Sequence, residues 1–279
     1  KATTQFGIRS AILPLSRRYR SDRMYMPKRI RAKLATDTFY FSHKSRLGNT
    51  CAQIFSHKCG FAHSTPLPDA KDERVGGSLN DFIHDFGAPD HLTFDGAQVQ
   101  VGRHTLFQSL LRKYNIDFHV SSPRRPNENP AEGSIREVKR RFYRIAHKVK
   151  VPYRLWDYLI VWVCETDNLT VSSSKYANRR TPLELMTGET PDISEYVDFS
   201  FYDWVNYRPN AGLGEPSIGR WLGVSHKIGN LMSYWILTMP GNIISCTTVS
   251  RVTSSEKNTD EYKTRMEEYS TRMSNALTS

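Results

Sequence analysis

The sequence predicts an α/β protein: a mixed five-stranded sheet flanked by helices, followed by a small β-rich domain. Three observations lead there. Runs of β-branched and aromatic residues between 34 and 67 give way at Glu73 to apolar residues at helical spacing. Strand-like and helical segments then alternate as far as residue 121, the pattern of a sheet covered by helices. Beyond 199, four short strand-like runs are separated by turn-rich stretches such as RPNAGLGEP and MPGN, which suggests a small antiparallel barrel.

Element by element, residues 1–30 are basic without a clean period and read as an arm or linker. Strands are expected at 34–41, 50–56 and 60–67. Leu79, Phe82, Ile83 and Phe86 then line one face of a helix that Gly87 closes. HLTFD at 91–95 is a short strand, Leu106 to Tyr114 a helix, and IDFHVS at 116–121 the fifth strand. After a loop, a long helix begins near Pro130, a suitable first-turn proline, with Ile135, Val138, Phe142 and Ile145 as its buried stripe. Residues 153–165 are apolar almost all round, so this helix is either wholly buried or set in a subunit interface. The resulting boundaries are a core at 31–175, a connector at 176–199, a barrel-like domain at 200–253 and a polar, mobile tail with some helical tendency at 254–279.

Composition narrows the partner. The 279 residues carry 39 Lys and Arg against 28 Asp and Glu, a net charge of +11. With 38% hydrophobic and 11% aromatic residues the chain is not disordered. The charge is concentrated: residues 1–36 hold +9, residues 122–154 hold +7, and the remainder sums to −5. Localised charge of this kind points to a polyanion track, nucleic acid before membrane. The longest apolar run, Tyr158 to Cys164, is too short to span a bilayer. Four scattered cysteines fit a reducing compartment. Cys51, His57, Cys59 and His63 have gaps of five, one and three residues, a poor match to zinc-ligand spacing. The aromatic residues Trp204, Tyr207, Trp221, Tyr234 and Trp235 suit either base stacking or the core of the β domain.

Three acidic residues stand where structure alone does not need them. Asp37 lies inside the first strand, Asp95 ends a short apolar strand, and Glu132 sits in the first turn of the basic helix. Between Asp37 and Asp95 lie 57 residues, and between Asp95 and Glu132 lie 36. A carboxylate in an apolar strand is costly unless something offsets its charge. Three such groups converging at one sheet edge could hold two Mg²⁺ or Mn²⁺ ions, which favour oxygen ligands. Taken singly, Asp37 could pair with an arginine, Asp95 could be a turn residue, and Glu132 could favour the helix dipole. Arg136 and Lys139 follow Glu132 by four and seven residues on the same helix face, toward a phosphate held there. Arg125 and Asn129, in the preceding loop, are further candidates for DNA contact.

LATDTFYF, LTFDGAQVQ and RRPNENPAEGSIREVKR, in that order, resemble the catalytic core of retroelement integrases. RTPLELMTGETPDISEY and GRWLGVSHKIGNLMSYWIL resemble the region that follows the core in copia-type elements, within a Pol polyprotein. The resemblance implies a ribonuclease-H-like fold with Asp37, Asp95 and Glu132 as the Asp-Asp-Glu triad holding two metal ions, and basic DNA-end contacts at Arg136 and Lys139. It implies joining of element cDNA ends to target DNA, a homo-oligomer, and action in the nucleus with cytoplasmic particles before import. Gly96-Ala97 stands where the family usually has Asn-Gly, and Asn129-Pro130-Ala131 replaces its usual Gln-Asn-Gly loop. Two alternatives remain: a decayed or domesticated DNA-binding protein without catalysis, or another nuclease or transposase of the same fold. A ribonuclease H carries an additional Glu on its first helix; here Glu73 is a turn away from the Leu79–Phe86 face.

Overall fold

The computed structural model describes residues 28–121, 132–171, 179–209, 215–226 and 232–278. The first sheet contains β1 (Arg29–Tyr40), β2 (Cys51–Ser56), β3 (Ala62–Leu67), β4 (Ala88–Phe94) and β5 (Asp117–Val120) in the order β3-β2-β1-β4-β5. β1–β2 and β2–β3 are antiparallel, while β1–β4 and β4–β5 are parallel. This is the mixed five-stranded sheet expected. The crossovers run through α1 (Asp72–Asp85), then the short α2 (Gln98–Val101) and α3 (Leu106–Lys113). The long α4 (Glu132–Val149) and α5 (Trp156–Leu169) follow.

Alternation along β1 divides the core. Leu34 faces a cluster with Phe55, Leu79, Phe82, Phe107 and Leu110, which packs α1 and α3 on one side of the sheet. Phe39 faces the opposite cluster with Ile54, Ile135, Val138, Phe142, Leu159 and Ile160, which packs α4 and α5. Asp37 shares the parity of Phe39 and therefore lies on the α4 side.

β1 starts earlier than expected. Arg29, Arg31 and Lys33 alternate with Ile30, Ala32 and Leu34, and the burial follows that period of two. Arg29 donates to the carbonyls of Tyr114 (2.6 Å) and Asn115 (3.1 Å) and pairs with Asp90 (3.1 Å), so this cation anchors the strand. β4 likewise begins at Ala88, before the expected 91, because Pro89 sits beside a register shift between Ile30 and Lys33. Gly87 closes α1 with φ +114°, and a Cβ there would stand 2.2 Å from the Lys28 carbonyl oxygen.

The second sheet has five antiparallel strands: β6 (Trp204–Arg208), β7 (Ser217–Val224), β8 (Tyr234–Thr238), β9 (Ile243–Cys246) and β10 (Thr248–Arg251). Their order is β10-β6-β7-β8-β9. β9 and β10 occupy opposite edges yet only Thr247 separates them, so the sheet is rolled until its edges meet. The expected run 243–250 is thus two strands. Trp221, Tyr207 and Tyr234 are buried in its core, and Trp204 is sandwiched between the Arg220 guanidinium (3.5 Å) and Tyr269 (5.1 Å). These aromatics therefore build the β domain.

α5 is covered within the chain. Leu159, Ile160 and Val163 share one cluster with Phe201, Ile218, Leu222 and Leu237 around the second sheet, while Tyr158, Val161 and Trp162 are only partly buried. Between the two sheets in sequence lie α6 (Pro182–Thr187) and α7 (Ser194–Val197). The helical tendency expected of the tail is realised in two helices. After α8 (Ser254–Lys257), α9 (Asp260–Thr278) is a helix, and it buries Tyr269 and Met273 in the same cluster as α5. Tyr262 and Met266 pack against that cluster as well, giving the helix an apolar stripe at helical spacing, and Tyr269 Oη donates to the Leu237 carbonyl at 2.7 Å. No helix among the described residues is long and apolar enough to cross a membrane.

Candidate active site

β1 and β4 run parallel with Ala35 opposite Thr93. Two residues further along each strand stand Asp37 and Asp95, on the face of Ala35 and Thr93. Asp37, within β1, and Asp95, just after β4, are thus carried by neighbouring parallel strands although 57 residues lie between them. Asp37 is half-buried opposite Ile54 of β2, whereas Asp95 is exposed and its Oδ1 accepts from the Ala97 N–H at 3.1 Å. Burial pushes the Tyr40 phenol up, and Cys51, Asp95 and Asp37 push it further, so both carboxylates act on one group.

The backbone carrying Asp37 is clamped from behind. The buried Gln53 carboxamide donates to Thr36 Oγ1 (2.5 Å) and accepts from Thr38 Oγ1 (2.7 Å), the two residues that flank Asp37. A glutamine inside an apolar strand was the sequence signal for this clamp.

α4 lies over the same face through Ile135, Val138 and Phe142, and Glu132 is its first residue. Ser134 Oγ donates to the His57 carbonyl at 3.0 Å and ties the helix start to the β2–β3 turn. Lys139 Nζ donates to Asp37 Oδ2 at 3.2 Å and lies 4.8 Å from the centre of the Phe39 ring. Arg136 is exposed one turn earlier. Of the expected site residues, Arg125 and Asn129 lie outside the described residues, as does the Glu132 side chain. Lys139 of α4 and Asp37 of β1 are brought into contact, and Asp95 follows the strand beside β1.

The donor set suits a hard divalent ion: carboxylate oxygens, with no thiolate or imidazole among them. Among the described residues no group of three or more His, Cys, Asp or Glu is gathered to hold a metal. At the poor zinc candidate, Cys51 and Cys59 are buried in the core, and His57 Nδ1 lies 3.0 Å from Cys59 Sγ. Burial, reinforced for His57 by Lys58, pushes His57 and His63 down to about 4.

No family model matches the sequence, and the comparison with curated proteins finds no relative. Among solved structures, the chain is similar to the catalytic core domain of BIV integrase, at 13% identity over 56% of this chain and 93% of that one (TM-score 0.44). It is also similar to a chain of the simian T-cell lymphotropic virus intasome, at 15% identity over 82% of each (TM-score 0.44). A third is the HTLV-2 integrase catalytic core domain in complex with magnesium, at 13% identity over 58% and 97% (TM-score 0.43). Likenesses of this size carry no argument by themselves. The ribonuclease-H-like fold follows from this chain's own strand order and directions.

Proposed function

We propose that this chain is the catalytic core and following region of a copia-type retrotransposon integrase, which joins element cDNA ends to target DNA by metal-dependent strand transfer. The observation that supports the reading is the parallel pairing of β1, which carries Asp37, with β4, which Asp95 follows, together with α4, which begins at Glu132 and reaches Asp37 through Lys139. Asp37 would be shared between two Mg²⁺ or Mn²⁺ ions, with Asp95 and Glu132 completing one site each. When bound, such ions stabilise the attacking and leaving oxygens of an in-line displacement. The protein's own groups do the rest. Gln53 holds the strand of Asp37 still, while Arg136 and Lys139 attract and position the phosphate from the α4 side. Arg125 and Asn129 would approach the same DNA end from the preceding loop. The partners on this reading are DNA and further copies of the chain, and the place of action is the nucleus, with cytoplasmic particles before import.

One contact favours a second reading, a DNA-holding protein without catalysis: the Lys139 ammonium already neutralises Asp37. A strand-transfer assay with a labelled DNA end and Mg²⁺ or Mn²⁺ separates the two. Joined product that disappears with Asp95→Asn or Glu132→Gln supports the integrase. Unchanged joining in those variants overturns the metal assignment, cleavage without joining points to a nuclease, and DNA binding alone points to the second reading.

A further inference from the structure

The aromatics of the second sheet are buried (Tyr207, Trp221, Tyr234) or partly buried (Trp204, Trp235), but the first sheet's helices carry exposed ones, and they continue the ridge of the proposed active site. Glu132, Arg136, Lys139 and Tyr143 are spaced by four, three and four residues, with His147 and Lys150 next in step, so one stripe runs the length of α4. Its end borders a cleft of about 560 Å³, within the range of binding sites for small ligands.

The cleft has a rigid floor and exposed walls. Phe41 stacks on Trp156 with ring centres 3.7 Å apart, and Trp156 Nε1 donates to the His43 carbonyl at 2.9 Å. Tyr143, 58% exposed, stands edge-on to Phe142 (5.3 Å) and Phe39 (6.1 Å). Lys150 ends α4 in the left-handed region (φ 54°) and turns the chain, so that Tyr153 returns to the opposite wall. Tyr153 is 78% exposed and stacks on the His43 ring at 5.3 Å. His43, His147 and Lys150 rim the cleft, and no carboxylate is among its lining residues. Exposed aromatic faces with cationic groups between them are what an unpaired nucleic-acid strand requires: rings for the bases, charge for the phosphates. Phe39 joins the two parts, since both Lys139 and Tyr143 touch its ring.

We infer that this cleft is a subsite for unpaired DNA: the strand whose phosphate lies at Lys139 runs along α4 and stacks its bases on Tyr143 and Tyr153. The inference rests on the DNA reading above and names where the strand goes. From Lys139 to Val149 the helix rises about 15 Å, a length that a strand of a few nucleotides can follow.

The test compares binding of a blunt duplex with that of the same duplex carrying a single-stranded tail of about eight thymidines, in either polarity, by fluorescence anisotropy. The tail is expected to tighten binding. Tyr143→Ala with Tyr153→Ala is expected to remove that gain, at least ~10-fold on the tailed duplex, and to leave the blunt duplex within about twofold. Tyr143→Phe with Tyr153→Phe keeps the rings and is expected to keep the gain, which excludes misfolding as the cause. Lys139→Gln is expected to weaken both DNAs alike. A tail that gives no advantage overturns the subsite, as does an equal loss on both DNAs in the alanine pair. An altered oligomeric state with unchanged DNA affinity also overturns it and makes the cleft a contact between copies. Failure of the unmodified protein to bind either duplex instead defeats the DNA reading on which the subsite rests.

Discussion

Replacing Lys139 by glutamine removes a charge that sits between two roles. Its ammonium is 3.2 Å from Asp37 Oδ2, with the two side chains 32% and 39% exposed. At that distance Coulomb's law gives about 1–5 kcal/mol for effective dielectric constants of roughly 80 to 20. Solvent screening at this exposure brings the net value down to ~0.2–1 kcal/mol. A cation approaching Asp37 competes with that ammonium, so Lys139→Gln is expected to tighten Mn²⁺ binding by up to ~5-fold. Duplex binding changes in the opposite sense. Losing one phosphate contact lowers the slope of log affinity against log salt by ~0.9. Calorimetric Mn²⁺ titration without DNA, and anisotropy at several salt concentrations, read the two effects. Weaker or unchanged Mn²⁺ binding with an unchanged salt slope would refute the placement of Lys139 between metal and phosphate.

Three further outcomes follow from the fold. Ending the chain at Asn258 removes the burial of Tyr269 and Met273 and is expected to cost about 3–5 kcal/mol in a denaturant titration; a mobile tail would cost nothing. Asn168 caps the edge strand β3 by accepting from the Ala62 N–H (2.9 Å) and donating to the Ala62 carbonyl (2.8 Å). Asn168→Leu is expected to cost ~2–3 kcal/mol and to promote association through the uncovered edge, seen by light scattering. His57 and His63 titrate at about 4 in the folded protein and near 6.5 when unfolded, so the unfolded chain binds more protons between those values. Stability present above pH 6.5 is therefore expected to be lost as pH falls toward 4, with a shallower loss in His63→Gln. His226 works in the other direction: its hydrogen bond with Glu165 (2.8 Å) raises its pKa. Its contribution is complete below pH 6.5 and fades as pH rises through the raised value.

Local pattern made much of this legible. The order of the first five strands and their helices follows from periodicity, because each element buries one face and therefore repeats at two or at 3.6 residues. Asp37, Asp95 and Glu132 stood out because a carboxylate is conspicuous in an apolar strand or at its end. What could not be read depends on partners far away in sequence. The start of β1 was hidden by its cations, since only the fold shows Arg29 tied to Asp90 and two carbonyls. The start of β4 was hidden by Pro89, which the register shift accommodates. α9 looked polar because the stripe of Tyr262, Met266, Tyr269 and Met273 that docks it is narrow and lies among charged residues. The cleft at Tyr143 and Tyr153 arises from a left-handed Lys150, which pattern alone does not reveal.

The central claim is that Asp37, Asp95 and Glu132 hold divalent ions together. Anomalous diffraction from crystals of the protein grown with Mn²⁺ tests it most directly. The account expects manganese density bonded to Asp37 and Asp95, with the Glu132 carboxylate completing the site, and its loss in Asp95→Asn crystals. Manganese bound elsewhere, or retained unchanged in Asp95→Asn, would contradict it.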